Sequence, residues 1–392
     1  MSEPTSLYCH GAARLAMTDQ AITASPDPCE RSEAIQNTVA PDALAAPSVP
    51  LKVAFLFAGQ GAQYPGMGIG FVQQSPAAAE VFAAADVACP GTYERCCAAL
   101  SGELARTTVT QPTVLATDLA CARALEEAGV VPAAVAGFSL GEVGALAFAG
   151  AFDDLCAFTL INVRAHVMEE AAQASPGAMR AVLGKTEEEL RALLEESCLD
   201  RLELVNFNAP TQIVVSGAAT QVEAFADFLG LRRVRSVPLA VSGAFHSSFM
   251  HSAARDFSTA LTQVPFAALR MPVYANLTGE PYPLLASQEG QLSPEEDRRA
   301  KEILARQIES PVRWTTTLRN LQAAGITHFI EVGPGSVLTG LVKKTLPQAY
   351  CRSVQSAPAA RELATELREH SVPDLLCSAQ HTEQTSKAKG AR

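Results

Sequence analysis

The chain has 392 residues, of which 48% are hydrophobic and 18% charged, with a formal net charge of -11. Such an apolar fraction excludes a disordered chain, no uninterrupted apolar run approaches the roughly 18 residues of a spanning helix, and the acidic average opposes nucleic acid. Ten cysteines at this length are too sparse for a disulfide-built secreted domain. No CxxC pair or Cys/His cluster with zinc-site spacing occurs either, so buried or incidental thiols and no metal are expected.

Residues 1–50 mix Ser, Thr, Pro and Ala without apolar periodicity and read as a flexible extension. They make a poor targeting peptide: Glu3, Asp19, Asp27, Glu30, Glu33 and Asp42 outnumber Arg14 and Arg31, and no apolar signal core is present. Short apolar runs then alternate with helical stretches. Strands are predicted at 53–57 and 133–137, and helices at 114–128 and 141–151. This alternation predicts a parallel sheet covered on both faces, a large α/β catalytic domain over 51–180 and 240–355. Between these parts a helix at 186–196, strands at 202–206 and 212–216, a helix at 220–229 and a strand at 233–238 predict a small inserted α+β subdomain over 181–239. Residues 356–392, with one short helical stretch at 361–370, read as a tail.

The sharpest chemical signal is Gly137-Phe138-Ser139-Leu140-Gly141, a G-x-S-x-G pattern with a strand running in and a helix running out. In that setting the serine occupies a strained turn, glycines on both sides relieve collisions, and the helix N-terminus faces the hydroxyl. A bare match is weak, since a serine in any helix-entry turn gives it, and the flanking elements are what favour a nucleophile. A serine needs a base. Of the seven histidines, His10, His370 and His381 lie in the expected tails, His166 in a helical run and His328 beside a strand. His246 and His251 remain, and His246 stands in a Gly- and Ser-containing loop after a strand, where catalytic groups are expected. Gly59-Gln60-Gly61, directly after the first strand, allows close backbone approach and an amide donor for an oxyanion. It lacks both a following GK[ST] and a third fingerprint glycine, so nucleotide binding is the weaker alternative. Gly333-Pro334-Gly335 is a similar strand-to-helix turn.

In order along the chain come FLFAGQGAQYPGMG from Phe55, GFSLGE from Gly137, Arg164 in a helix, NFNAPTQIVVSG from Asn206, GAFH ending at His246, QIESPVRW from Gln307 and EVGPG from Glu331. Over roughly residues 53–344 the chain resembles the malonyl-CoA:acyl carrier protein transacylases of type II fatty acid synthesis. That resemblance implies a hydrolase-like α/β domain with a nucleophile elbow and an inserted ferredoxin-like subdomain. It further implies Ser139 as nucleophile, His246 as base, the backbone amides of Gln60 and Leu140 as oxyanion hole, and a backbone carbonyl near Gln307 orienting the histidine in place of an acid. Arg164 would hold the malonyl carboxylate, as a guanidinium can do with two parallel charge-assisted bonds. GAFH accompanies malonyl-type sites, whereas members for larger substrates often carry YASH.

Malonyl-CoA and an acyl carrier protein would be the partners, phosphopantetheine being carried by the latter, with no cofactor, no membrane span and a monomeric state. Phe138 departs from the histidine of most bacterial members and matches the animal mitochondrial form, so the resemblance implies a mitochondrial location, with the cytosol or another organelle left open by the unsuitable N-terminus. Arg232, Arg233 and Arg235 form the densest basic run, with Lys343 and Lys344 a second cluster, and the first is a candidate docking patch for an acidic carrier. The rival readings are a serine hydrolase or thioesterase using the same elbow, an acyltransferase for another acyl-CoA extender, and an inactive docking subunit.

Overall fold

The computed structural model describes residues 51–241, 243–284 and 292–371. The expected extension over 1–50 and the end of the expected tail, 372–392, lie outside the described residues. Nine strands are present in that part: β1 (Val53–Phe57), β2 (Ala134–Gly137), β3 (Gly177–Leu183), β4 (Leu202–Ala209), β5 (Gln212–Ala218), β6 (Ser236–Pro238), β7 (Val273–Tyr274), β8 (His328–Val332) and β9 (Tyr350–Val354).

The larger sheet is parallel throughout, in the order β7-β2-β1-β8-β9. Its central strand, VAFLF, is buried at every residue, as a strand covered on both faces must be. The faces alternate with period two. Val53, Phe55 and Phe57 pack into a core beneath the helices Thr107–Glu127 and Gly141–Ala149, where Phe148 meets both phenylalanine rings at 5.7 Å. Ala54 and Leu56 turn to the opposite core, with Leu318 and Leu321 of Trp314–Ala323 and Leu338 and Leu341 of Val337–Thr345.

Register decides where the chemistry emerges. Phe57 pairs with Gly137 of β2 and with Val332 of β8, so three loops leave the carboxyl ends of adjacent strands side by side: Gly59–Gly61 after β1, the Ser139 turn after β2 and Gly333–Gly335 after β8. In parallel α/β sheets this edge is where ligands bind.

The inserted subdomain has the order β, α, β, β, α, β. Its antiparallel sheet runs β4-β5-β3-β6 over its own core of Val182, Leu190, Leu204, Ile213, Val215, Phe225 and Leu229, which is the ferredoxin-like arrangement. Its boundary differs from the expected 181–239, because β3 begins at Gly177. This strand carries only one β-branched residue, Val182, and is made a strand by pairing with β5 along its length and with β6 on its other side. The expected tail is also corrected. Helix Ala357–Ser371 buries Ala357, Ala360, Leu363, Ala364 and Leu367, a helical-period stripe, against the main core. The fold therefore extends through that helix and does not end at residue 355.

Candidate active site

Ser139 has φ 53°, in the left-handed region that side chains avoid. Neighbouring glycines make the turn possible. A Cβ on Gly137 would sit 1.9 Å from the backbone of Gly141, and one on Gly141 would sit 2.5 Å from the carbonyl oxygens of Phe57 and Ala58. Asn276, just beyond β7, clasps the turn from the side. Its Oδ1 accepts from the Ser139 N–H at 2.7 Å, and its Nδ2 donates to the Gly137 carbonyl at 2.6 Å.

The Ser139 hydroxyl lies 2.8 Å from His246 Nε2, and His246 Nδ1 lies 2.9 Å from the Gln307 carbonyl oxygen. A carbonyl only accepts, so Nδ1 carries the proton, Nε2 presents its lone pair, and the serine donates to it. The imidazole is thus oriented by a backbone carbonyl. Its own backbone is held at φ 61°, with its N–H donating to the Ile308 carbonyl at 3.1 Å. Burial, with the nearby Arg164 charge adding to it, pushes the imidazole down to about 4, so it is neutral and proton-accepting at neutral pH.

Arg164 is 1% exposed. Its guanidinium donates to the Gln111 and Gln307 side-chain carbonyls, each at 2.8 Å, and to Ser139 Oγ at 3.1 Å. Burial lowers its pKa to about 10, which leaves it charged. A full positive charge therefore sits within one hydrogen bond of the Ser139 hydroxyl with its direct bonds made to neutral groups. The Gln307 side chain completes the ring by donating to the Ser139 carbonyl at 2.7 Å.

Gln60 and Leu140 border the same cavity as Ser139, and among the described residues neither backbone N–H has an acceptor. Phe138 is half-buried, edge-on to Trp314 at 5.3 Å, and so close to Gly59 that a Cβ there would meet its carbonyl at 2.8 Å. The aromatic therefore shapes the Gln60 loop. The cavity, about 280 Å³, is roofed by the subdomain through Asn206, Asn208, Gln212, Leu239 and Val241. Among the described residues, Asn208 Oδ1 is buried without a hydrogen-bond partner.

The other candidates lie elsewhere. His251 is exposed and paired with Glu309 at 2.7 Å. Arg232 is bound by Glu196 and lies 3.5 Å over the Phe228 ring, while Arg233 and Arg235 are exposed and have no ion-pair partner among the described residues. The seven described cysteines are free thiols. Sequence reasoning missed Asn276, Gln111 and Tyr282, and quoted Glu142 within GFSLGE without giving it a role. Glu142 is a buried acid on an otherwise apolar helix, a visible signal; Asn276, Gln111 and Tyr282 carry no local pattern.

The acyl transferase domain family matches residues 54–386. The malonyl CoA-acyl carrier protein transacylase of Bacillus subtilis is 36% identical over 323 residues, covering 80% of this chain and 96% of that protein. Among solved structures, the Clostridium perfringens malonyl CoA-acyl carrier protein transacylase superimposes with a TM-score of 0.73 at 32% identity, covering 81% of this chain and 98% of the other. A malonyl-transacylase solved in complex with its type II polyketide synthase acyl-carrier protein gives a TM-score of 0.73 at 30% identity, over 80% and 99% of the two chains. With a serine elbow, a neutral histidine and a buried guanidinium converging at the sheet's carboxyl edge, and with relatives matched over nearly their whole length, the chain belongs to the malonyl-CoA:acyl carrier protein transacylase family of acyl transferases.

Proposed function

We propose that the protein carries a malonyl group from malonyl-CoA to the phosphopantetheine thiol of an acyl carrier protein, for fatty acid synthesis, through a malonyl ester on Ser139. One observation carries this reading: the Arg164 guanidinium lies 3.1 Å from the Ser139 hydroxyl, which itself lies 2.8 Å from His246 Nε2. A nucleophile beside a buried cation suits an acyl group that ends in a carboxylate.

The steps follow from the geometry. Ser139 Oγ attacks the thioester carbon while His246 Nε2 takes its proton. The resulting oxyanion is received by the Gln60 and Leu140 N–H groups, each such donor being worth about 3–4 kcal/mol in the transition state. Collapse expels the coenzyme A sulfur, which receives the proton from His246. The carrier thiol then enters, gives its proton to His246 and attacks the ester carbon, and Ser139 leaves with that proton restored. Two displacements share one acyl-enzyme. Arg164 releases the serine hydroxyl and the Gln307 amide to take the malonyl carboxylate. Partial neutralisation of its charge also relieves the downward pull on His246, so the base strengthens when the correct acyl group is bound.

No cofactor is required by these steps. An acidic carrier would approach a chain that is itself acidic, so docking rests on local positive charge. Arg233 and Arg235, which have no ion-pair partner among the described residues, support that patch better than Arg232. Labelled malonyl-CoA tests the whole reading. Label should appear on Ser139 and chase to carrier protein; release of malonate to water at the same rate with or without carrier would make the protein a hydrolase, and absence of label an inactive subunit.

A further inference from the structure

Among the described residues Arg164 is a buried cation without a directly bonded carboxylate, which is a costly arrangement unless a counter-charge lies close. Glu142 lies one amide away. On the first turn of helix Gly141–Ala149 it is fully buried, and its Oε2 accepts from Gln307 Nε2 at 3.0 Å while Gln307 Oε1 accepts from Arg164 at 2.8 Å. The same carboxyl accepts from the Asn276 backbone N–H at 3.1 Å and from the Tyr282 hydroxyl. Three elements converge on it, and two of its donors, Gln307 and Asn276, hold the Ser139 turn and the His246 ring. Nothing in the chemistry above uses this group.

We propose that Glu142 is the resting counter-charge of Arg164, relayed through the Gln307 amide, and that it takes up a proton when an acyl carboxylate occupies the guanidinium. Three buried charges, two negative and one positive, would otherwise share one pocket. Protonating Glu142 returns the pocket to neutrality, and the carboxyl proton comes from solvent. A protonated Glu142 keeps one oxygen as acceptor for Gln307 and Asn276 and turns its O–H toward Tyr282, whose oxygen accepts, so the elbow stays clasped. Acetyl, which brings no carboxylate, leaves Glu142 ionised. Selection for a carboxylate would thus be written into the protonation state of a positioning residue behind the nucleophile.

The charged and titratable groups acting on Glu142 are Tyr282 and Arg164. Tyr282 is itself held well above its ordinary value by burial and by the carboxyl beside it, and so remains a neutral donor. Burial pushes the Glu142 carboxyl up to about 7 against the pull of its donors and of Arg164. Weakening that last attraction therefore moves it through the physiological range.

This inference rests on Arg164 being the carboxylate binder, and the test separates the two. Full-length protein is mixed in weak buffer, without carrier, with stoichiometric malonyl-CoA or acetyl-CoA, and proton uptake is followed with an indicator dye. At pH 7.5, where a carboxyl at about 7 is already about one quarter protonated, malonylation should take up about one half to three quarters of a proton per site more than acetylation. Glu142→Gln should still form malonyl-enzyme and show no such difference. Tyr282→Phe, which removes one donor to the carboxylate and keeps the ring, should move the pH of maximal uptake upward. Equal uptake with both substrates, while malonyl is still preferred and Arg164→Ala abolishes that preference, overturns the role of Glu142 and leaves Arg164 standing. An uptake difference that persists in Glu142→Gln also overturns it. Loss of the uptake difference together with unaltered malonyl preference in Arg164→Ala overturns the carboxylate-binding reading instead.

Discussion

Replacing Arg164 with alanine should separate substrate recognition from the acyl-transfer machinery. In the free enzyme the side chain makes three hydrogen bonds, to Gln111, Gln307 and Ser139, and is almost completely buried. The bonds to Gln307 and Ser139 are both made by Nη2, and these are the two that a malonyl carboxylate on Ser139 would replace. Hydrogen bonds to charged groups contribute about 1.5–3 kcal/mol each, so a two-bond clamp is worth about 3–6 kcal/mol, or about a hundredfold to ten-thousandfold in kcat/KM for malonyl-CoA at 1.4 kcal/mol per decade. Acetyl-CoA uses neither bond and should lose little or gain. Arg164→Lys keeps the charge and loses the fork, and should fall between. The variant also removes a cation from beside His246. Its imidazole, held at about 4 by burial and by Arg164, should become easier to protonate, moving the acidic limb of kcat/KM to higher pH, with burial still holding it below the ordinary value. Single-turnover transfer to carrier protein with both acyl-CoAs, over pH 4–8, measures all of this. An unchanged ratio of malonyl to acetyl transfer in a folded Arg164→Ala protein would refute the assignment.

Further expectations concern the base, the docking patch and the core. His246→Ala should lower acyl transfer by about a hundredfold to ten-thousandfold, with acyl-enzyme formation slowed equally; substantial residual turnover would mean that another base operates. Reversing Arg233 and Arg235 to Glu should raise the apparent KM for carrier protein and spare malonyl-CoA hydrolysis, and equal effects on both reactions would remove the docking role. Asp118, in helix Thr107–Glu127, is fully buried, and among the described residues neither carboxyl oxygen has a well-formed hydrogen bond, the Ala58 backbone N–H being the one donor near enough to pull its pKa down. Burial and the neighbouring Glu331 hold its pKa well above the ordinary carboxylate range. The folded state therefore keeps a proton that the unfolded chain releases above about pH 4, and stability is lost as pH rises from there. Asp118→Ser, whose hydroxyl can bond the carbonyl four residues back, should stabilise by about 1–3 kcal/mol at neutral pH, with the gain shrinking toward pH 4. A stability difference that is flat with pH in chemical denaturation would contradict this account.

The nucleophile elbow was legible in the chain alone because its constraints are local. A strand, a strained residue flanked by glycines and a helix start all lie within a few residues of Ser139, and each leaves a mark on composition. The same holds for the alternation of strands and helices that specified a parallel sheet, and for Gln60, which stands beside glycines at the end of a fully apolar strand. His246 was reached by elimination in a loop, and Arg164 only through the family resemblance, since an arginine in a helix looks the same whether it faces water or a substrate.

Tertiary structure decided what depends on partners distant in sequence. Strand β3 has little propensity of its own and exists because β5 and β6 flank it, and the last helix joins the fold because its apolar stripe finds the main core. Asn276 and Gln307 lie more than a hundred residues beyond Ser139, and they reach it because β7 pairs with β2 and because the segment after the inserted subdomain returns to the elbow. Above all, a sequence can place a glutamate, a glutamine and an arginine on three elements. Only their packing makes one buried chain of them, from Glu142 through Gln307 to Arg164, because hydrogen bonds and burial are properties of position in space and not of order along the chain.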